Sequence, residues 1–458
     1  MNVKHICFVC LGLMVMLLLT PDTLLSQETA KSREPLSLTL QEAMSAAMEN
    51  NFSIDQSEYD VMKARAQYRQ TNAVFLPTLS FEYNAISTND PLNVFGFKLK
   101  QELVSQQDFN PALLNNPDPY ENFSARLEVQ QPIFNPDMIM QRGAVKNRLN
   151  SANEQQDGTM RHIRFEVQNQ YYSLILHRRQ LDVLETALET AGEHRRQAQN
   201  YFEEGILSRE DFLAARVYEL EMESRKINAE NELKHAGEEM ALLLGMDGSR
   251  PVEPADDMIS SGEAIDVPDL SLIEVDNAQL RAIEERVKAA EKMTRAAKYS
   301  FLPKINLFGS YEYNDPDFAG LNANSYMIGA NLKWNIFSGF RNAGKVMEAT
   351  ADYNKAVSMR ASHRIETENR VRQAYRNLEH AEKELLLTEE AISQSTEDVK
   401  IRSNRYDEGM ERITDLLEAE TKLAEARLKN IMALYKYNMS IAALEMLLEK
   451  DLNNVEYQ

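Results

Sequence analysis

The sequence predicts a mainly α-helical chain with a small membrane β part, in which long coiled-coil helical hairpins are joined to four transmembrane strands. Three observations predict this class. The phrase Phe-Leu-Pro occurs twice, ending at Pro77 and at Pro303. Each phrase precedes two segments in which apolar and polar residues alternate, and each pair of segments is followed by a proline-free stretch with helical periodicity. The chain is therefore expected to consist of two copies of one structural unit.

The two copies keep a constant register over their helical parts. Matching apolar positions lie 204 residues apart: Val167 and Val371, Tyr171 and Tyr375, Leu174 and Leu378, Leu181 and Leu385. A register held over this length indicates duplication of a structural unit. The offset is 226 residues at Pro77 and Pro303 but 203 at Ile133 and Ile336, so the first copy carries 23 additional residues between its two strands.

The N-terminal residues 1–26 are predicted to be a secretory signal peptide. Lys4 and His5 precede an apolar run from Ile6 to Leu19, which is too short to span a bilayer stably. Both cysteines of the chain, Cys7 and Cys10, lie within this run. An exported mature chain would therefore have no disulfide, no cysteine nucleophile and no thiolate metal site.

Charge and motif content exclude several classes of function. The formal net charge of −21 argues against nucleic-acid binding, because phosphates would be repelled. The charged residues alternate in sign at helical spacing, which is typical of solvated helix faces. We find no phosphate-binding loop, no nucleophile elbow and no histidine pair at metal spacing, so we expect no enzyme activity, no cofactor and no metal site. The 21 methionines fit helix-core positions.

The domain organisation follows from the duplication. The predicted divisions are a first structural repeat over residues 27–245, a connector over 246–276, a second repeat over 277–450 and a tail over 451–458. In each repeat a helix leads into two strands, then into a long helix and a return helix. Thr39 and Glu42 form a capping box that opens the first helix, which is predicted over residues 40–74.

The long helices are predicted over residues 138–204 and 340–407. At about 1.5 Å per residue, each would reach on the order of 100 Å. Their apolar positions step by four, three and seven residues, which is the spacing of a coiled-coil seam. Gly205 and Gly409 suit the left-handed position that ends a helix. Return helices are predicted over residues 208–245 and 412–450.

The four strands are predicted at about residues 78–88, 122–134, 303–314 and 324–337. Strict alternation over ten or more residues, with aromatic residues near the ends, is typical of transmembrane β-strands. A soluble antiparallel sheet covered by a helix also alternates and is the alternative interpretation. Under the membrane interpretation, the apolar face includes Phe81, Tyr83, Leu127, Val129, Leu307, Tyr311, Leu332 and Trp334.

Four strands are too few to close a barrel, and an open sheet edge in lipid leaves backbone groups unpaired at several kcal/mol each. Two copies would supply eight strands, whose interior fills with side chains. Three copies would supply 12 strands and an open lumen that suits the polar face. We therefore expect a homotrimer with a 12-stranded β-barrel continuous with an α-helical tunnel.

Four motifs connect the chain to a known family. They are Leu38-Thr39-Leu40-Gln41-Glu42-Ala43 at the start, Leu243-Leu244-Gly245 closing the first repeat, Tyr406-Asp407-Glu408-Gly409 at the second turn, and Asp415-Leu416-Leu417 after it. With the Phe-Leu-Pro phrases, they resemble the TolC-like outer-membrane efflux channels. The resemblance implies a trimer whose barrel crosses the outer membrane and whose helices form a periplasmic tunnel. It also implies two partners, a periplasmic adaptor protein and an inner-membrane pump of the RND, ABC or MFS class.

The resemblance also implies functional positions near the turns. Asp415 and Glu418 match the carboxylates that narrow the tunnel at its periplasmic end, although Asp415 could instead serve as a helix cap. Tyr406 and Asp211 match members of a periplasmic gate. At the gate's arginine position this chain has Glu411, and Arg412 follows it, so either Arg412 reaches Asp211 or the channel closes by other contacts.

Three further expectations concern the turns, the insertion and the transported cargo. The turn residues resemble tips that dock an adaptor, with Ile206, Leu207 and Met410 expected to be exposed; the alternative is that these three pack against the helices of their own turn. The tips comprise Gly205, Ile206, Leu207, Ser208, Gly409, Met410 and Glu411. The 23 additional residues, within 87–121, are expected to form an extracellular loop. Drug efflux and type I protein secretion both fit the sequence. A periplasmic coiled-coil adaptor or scaffold without a channel is the alternative function.

Overall fold

The computed structural model describes residues 35–258, 276–450 and 452. The predicted signal peptide, most of the connector and most of the tail lie outside the described residues. In chain order the elements are β1 Leu36–Leu38, α1 Leu40–Asn50, α2 Phe52–Gln70, β2 Thr78–Thr88, α3 Pro91–Lys100, α4 Pro111–Asn115, β3 Tyr120–Phe134, α5 Pro136–Glu203, α6 Arg209–Leu243, β4 Val252–Pro254, α7 Ala278–Tyr299, β5 Lys304–Asp315, β6 Ala323–Lys333, α8 Arg341–Asp407 and α9 Ile413–Leu448. Short 3-10 turns occupy Thr71–Val74 and Gln106–Phe109.

Two very long helices dominate the chain, as the sequence predicts. Helix α5 has 68 residues and α8 has 67, so each extends on the order of 100 Å. Gly205 and Gly409, with φ angles of 75° and 71°, follow these helices and reverse the chain into α6 and α9. The predicted fold class, mainly α with a small β part, is confirmed.

Each long helix packs against its return helix, and the two hairpins meet along α5 and α9. Helix α7 lies along the first parts of both α5 and α8: the Ser151 hydroxyl donates to the Ala282 carbonyl, and the Thr294 hydroxyl donates to the Ala349 carbonyl. The core follows the seam predicted from the periodicity. Its buried residues include Val167, Tyr171, Leu174, Leu184, Val371, Leu378 and Leu385.

The first helix is broken where the sequence predicts continuity. The capping box is confirmed, because the Glu42 amide donates to the Thr39 hydroxyl at 3.2 Å and the Thr39 amide donates to the Glu42 carboxylate at 2.8 Å. At Asn51, however, α1 ends and α2 begins. The Asn51 side chain accepts from the Ser53 amide and donates to the Leu243 carbonyl, each at 2.8 Å. The contact with Leu243 is long-range, so local periodicity does not reveal this break.

Near the middle of the helical body, the connector returns to the start of the chain. Strand β4 pairs in parallel with β1. The Tyr171 hydroxyl, on α5, donates to the Leu38 carbonyl at 2.9 Å and accepts from the Asp256 amide at 3.0 Å. The described first part of the connector is thereby fastened to the first long helix.

The other four strands form an antiparallel sheet in the order β2-β3-β5-β6. Phe81 lies opposite Leu127, and Leu127 lies opposite Tyr311, so the apolar positions align across the sheet. In the adjacent row, Glu82, Arg126 and Glu312 align on the polar face. Strands β2 and β6 are the sheet edges, and within the described chain neither has a second neighbour.

The last strand is shorter than the sequence predicts. It ends at Lys333, whereas the alternation extends to residue 337. Trp334 therefore lies after the strand, where its indole nitrogen donates to the Phe301 carbonyl at 3.0 Å. This bond joins the end of the sheet to the second Phe-Leu-Pro phrase, and it replaces the ladder pairing that the alternation suggests.

A stability experiment can separate backbone strain from close packing at two glycines. Gly245 and Gly205 have φ angles of +74° and +75°. A methyl group at Gly245 would lie 2.1 Å from the Asn50 carbonyl oxygen, whereas nothing lies within 4 Å at Gly205. We expect Gly205→Ala to cost roughly 1–2 kcal/mol from the left-handed backbone alone. Gly245→Ala should lower the melting temperature further, measured by circular dichroism; equal losses would contradict the close approach.

Candidate functional site

The ends of the two hairpins form one candidate site, which we call the tip. Its core consists of Ala191, Ala198, Ala215, Tyr218, Met222, Tyr406, Ile413, Leu416 and Leu417. Ile206 is 70% exposed and Met410 is 61% exposed, one at each turn. Leu207 differs from the sequence expectation, because it is partly buried against the tip core. Ser208 caps α6 by accepting from the Asp211 amide at 3.1 Å.

Polar contacts connect the two hairpins at the tip. The Arg412 guanidinium lies 3.5 Å from the Asp211 carboxylate and 4.0 Å from Glu210. The Gln197 amide donates to Asp407 at 3.2 Å. Arg412 therefore reaches Asp211, although it lies one residue after the position at which the family resemblance implies an arginine.

The contact between His194 and Glu420 is more buried than the Arg412 contact. His194 Nε2 lies 3.5 Å from a Glu420 carboxylate oxygen, and both side chains are mostly buried. It places α5 beside α9 deeper in the tip than the Arg412 contact, although His194 Nε2 makes no hydrogen bond among the described residues. Sequence reasoning missed it, because neither residue belongs to a local pattern and only their separation in space relates them.

Tyr406 lies inside the tip core. Its side chain is buried, and its hydroxyl has no hydrogen-bond partner among the described residues. Burial raises the pKa of Tyr406 to about 12, and the nearby Tyr201, Asp211 and Asp407 raise it in the same direction. Within one chain, Tyr406 contributes to the tip by packing, without a hydrogen bond to the other hairpin.

Glu411 occupies the position where the family resemblance implies an arginine. Its carboxylate lies 2.8 Å from Arg402 and 3.2 Å from Arg405, both on α8. Arg402 also binds Asp398 at 3.0 Å, and this bond is the main reason its pKa is raised. Glu411 therefore fastens the turn to its own long helix. The two arginines, six and nine residues earlier, are the sequence signal that could have revealed this contact.

Asp415 and Glu418 lie on the first turns of α9. The Asp415 amide donates to the Arg412 carbonyl at 3.2 Å, and its side chain is half-buried. Glu418 is exposed and lies 2.6 Å from Lys422, which lowers the pKa of Glu418 mainly through a side-chain hydrogen bond. The two carboxylates therefore differ in local compensation, because Lys422 offsets the charge of Glu418.

The sheet forms a second candidate site, a broad apolar surface. Its exposed residues include all eight predicted membrane-facing positions: Phe81, Tyr83, Leu127, Val129, Leu307, Tyr311, Leu332 and Trp334. A continuous apolar area of this kind marks an interaction with lipid or with another protein. Within the described ranges, none of the helices combines the length and apolar character needed to span a bilayer.

Comparison with known proteins identifies the family. The model of the family described as outer membrane efflux protein matches residues 43–246 and 270–449. The chain belongs to this family. The resemblance seen in its motifs is thereby confirmed, and this efflux protein is placed in the outer membrane with a large helical periplasmic portion.

Individual relatives agree with the family match. The efflux protein is 20% identical to the outer membrane protein TolC of Vibrio cholerae over 330 residues, covering 70% of this chain and 75% of that protein. The crystal structure of VceC from Vibrio cholerae matches with a TM-score of 0.76 and 18% identity, over 89% of this chain and 95% of VceC. The Campylobacter jejuni CmeC channel matches with a TM-score of 0.77 and 17% identity, over 94% and 93%. At these identities the solved structures establish the fold.

The buried hydroxyl of Tyr406 predicts a specific pH response. The unfolded chain releases this proton near the ordinary pKa of 10.0, whereas the folded chain holds it up to about 12. Stability is therefore unaffected below pH 10 and is lost as the pH rises from 10 to 12. Tyr406→Phe should keep the wild-type melting temperature at neutral pH or exceed it, because it removes an unpaired buried hydroxyl.

The same variant should lose stability less steeply between pH 10 and 12, measured by circular dichroism melting at each pH. Tyr218→Phe is the matched comparison, because burial also raises the pKa of Tyr218 to about 12. An alkaline loss in Tyr406→Phe as steep as in the wild type would contradict the assignment.

Proposed function

We propose that three copies of this chain assemble into the passive exit duct of a tripartite efflux or type I secretion system. The observation that carries the proposal is the four-stranded sheet, which has an exposed apolar face and two unpaired edges. In lipid, unpaired edge groups cost several kcal/mol each, so the edges must pair with other copies. Three sheets of four strands supply twelve, enough to enclose an open lumen.

Exposed side chains along the hairpins support lateral assembly. On α6 and α8, the exposed large apolar residues include Leu213, Val217, Leu220, Ile227, Ile365, Leu386, Leu387 and Ile401. A lone hairpin pair in water would leave this area uncovered. Side-by-side copies would cover it and continue the barrel as a helical tunnel.

The tip is proposed to dock a periplasmic adaptor through both turns. Ile206 and Met410 supply exposed apolar contacts, and the surrounding residues supply charge. The chain would serve as a conduit, with the energy for transport supplied by an inner-membrane pump of the RND, ABC or MFS class. Its cargo would be small molecules or proteins delivered by that pump.

The residues near the tip are proposed to close and filter the tunnel. The Arg412 contact with Asp211 holds the two hairpins together, and Tyr406 packs behind it. In a trimer, Asp415 and Glu418 would form two acidic rings at the periplasmic end, favourable to cations. Asp415 should dominate this selectivity, because Lys422 offsets Glu418.

The membrane role of the sheet can be tested with one substitution and a control on the same strand. Leu127→Arg places a charge on the apolar face, at about 2–4 kcal/mol per chain if the site lies near the bilayer midplane. Gln130→Arg places the same charge on the opposite face and should be tolerated. We expect outer-membrane insertion, measured by membrane fractionation, to fail for Leu127→Arg and for Trp334→Arg. Normal insertion of both would favour a periplasmic scaffold without a channel.

The acidic rings can be tested by ion selectivity. Asp415→Asn combined with Glu418→Gln should shift the reversal potential of single channels in a salt gradient toward weaker cation preference. Asp415→Asn alone should produce most of the shift. Glu379→Gln is the control, because Glu379 forms a comparable pair with Lys383 at 2.7 Å on α8. Unchanged reversal potentials in the double variant would contradict the constriction.

A further inference from the structure

The additional residues of the first repeat fold onto the sheet instead of extending away from it. Helix α3 contacts strands β3 and β6. The Lys100 amine, at the end of α3, lies 3.0 Å from Glu312 on β5. The next residue, Gln101, donates to the Asn122 side chain at 2.9 Å and to the Glu121 carbonyl at 3.0 Å. The insertion is therefore fastened across the width of the sheet.

The side chains that fasten it identify the face on which it lies. Arg126 and Glu312 are paired across the sheet in the row next to Leu127 and Tyr311. Because successive strand residues point to opposite faces, Arg126 and Glu312 lie opposite the apolar surface. Asn122 lies four residues before Arg126, and Asn314 lies two residues after Glu312, so both asparagines lie on the same polar face. The insertion therefore covers the polar face, which is the lumenal face of a barrel in lipid.

Part of the polar face beneath the insertion is shielded from solvent even in a single chain. Asn122 is 2% exposed and Asn314 is 1% exposed, although both lie on the polar face. Their side chains bond to each other at 3.0 Å, and Asn314 donates to Glu312 at 3.1 Å. Glu312 in turn binds Arg126 at 2.5 Å. A connected and satisfied polar network of this kind holds a defined position.

The insertion also has an ordered structure of its own. Asp90 caps α3 by accepting from the Asn93 amide at 3.0 Å, and Pro91 begins the helix. Lys98 binds Asp108 at 2.6 Å, and bonds from Lys98 and Ser105 lower the pKa of Asp108 to about 2. The segment behaves as a small folded unit, so its two faces are distinguishable.

The face of α3 turned away from the sheet is apolar. Leu92 is 80% exposed and Leu99 is 53% exposed, and their spacing of seven places them on one side of the helix. Val94, Lys98 and Gln101 form the opposite side: Val94 and Gln101 are buried, and Lys98 contacts Asp108 and Tyr120. The leucines therefore face the space in front of the sheet.

We infer that three copies of α3 meet near the axis of the barrel and form an apolar constriction at its extracellular mouth. The inference rests on the proposed trimer, which places three polar sheet faces around one lumen. The partners of each leucine face are the same helices of the two neighbouring copies. An apolar constriction resists ion passage by dewetting, so this mouth is a second barrier, distinct from the acidic rings at the periplasmic end.

Single-channel recording on purified full-length protein tests the constriction. Leu92→Ser combined with Leu99→Ser should increase unit conductance, because hydroxyl groups rehydrate the narrow region. Phe318→Ser is the matched control: Phe318 is an exposed residue of the other extracellular loop, and it packs on Tyr83 and Phe123 at the apolar face. It should leave conductance unchanged.

A deletion provides independent evidence. Replacing residues 91–117 by a short Asn-Gly turn should also raise conductance, because it removes the cover and leaves the strands. If the deleted chain fails to assemble, the serine variants still decide the question. Channels with wild-type conductance in the serine double variant would overturn the constriction and leave the channel proposal intact. Absence of channels from the wild-type protein would overturn both.

A thiol-reactive probe can test whether α3 lies in the permeation path. Leu99→Cys should make the current sensitive to a charged methanethiosulfonate added from the extracellular side, whereas Phe318→Cys should not. The cysteines of the natural chain, Cys7 and Cys10, both lie in the predicted signal peptide. Insensitivity of the Leu99→Cys channel would place α3 away from the permeation path and contradict the inference.

Discussion

The pairing of backbone groups at the sheet edges is the constraint on which the rest of the structure depends. Among the residues that the structure describes, strands β2 and β6 each have one neighbour, and lipid offers no hydrogen bonds to the open side. One chain therefore cannot be stable in the membrane alone. The same constraint gives the duplicated unit its role in the proposed trimer: each repeat adds one strand pair and one long hairpin, and three chains would multiply both into a barrel and a tunnel.

In the helical body, apolar and polar contacts lie in different places. Two clusters of buried residues hold each long helix to its return helix, and polar contacts join the hairpins to each other at the tip. The charged residues at the tip form two kinds of contact, one within a hairpin and one between the hairpins. Glu411 binds Arg402 and Arg405 within one hairpin, whereas Arg412 reaches Asp211 in the other. The first set of bonds therefore lies within one hairpin, whereas the second contact joins the two hairpins.

Local patterns predicted most of the fold, because helix caps, seams and strand alternation depend on neighbours in sequence. The long helices begin and end within a few residues of the predicted bounds, and the capping box at Thr39 forms. The misses have long-range causes. At the break in the first helix, Asn51 caps α2 locally and also reaches the Leu243 carbonyl, 192 residues away, and Leu207 is partly buried because the tip core lies beneath it.

By itself, the sequence determined the duplication, the element types and the apolar face of the sheet, since the spacing of residues along the chain is enough to show each of them. Only the tertiary structure decided which residues meet at the tip and where the insertion lies. Arg412 and Asp211 are 201 residues apart, and Lys100 and Glu312 are 212 apart. Contacts at such separations depend on how whole hairpins and sheets are placed, and the energy of each contact is small beside that of the packing that brings its residues together.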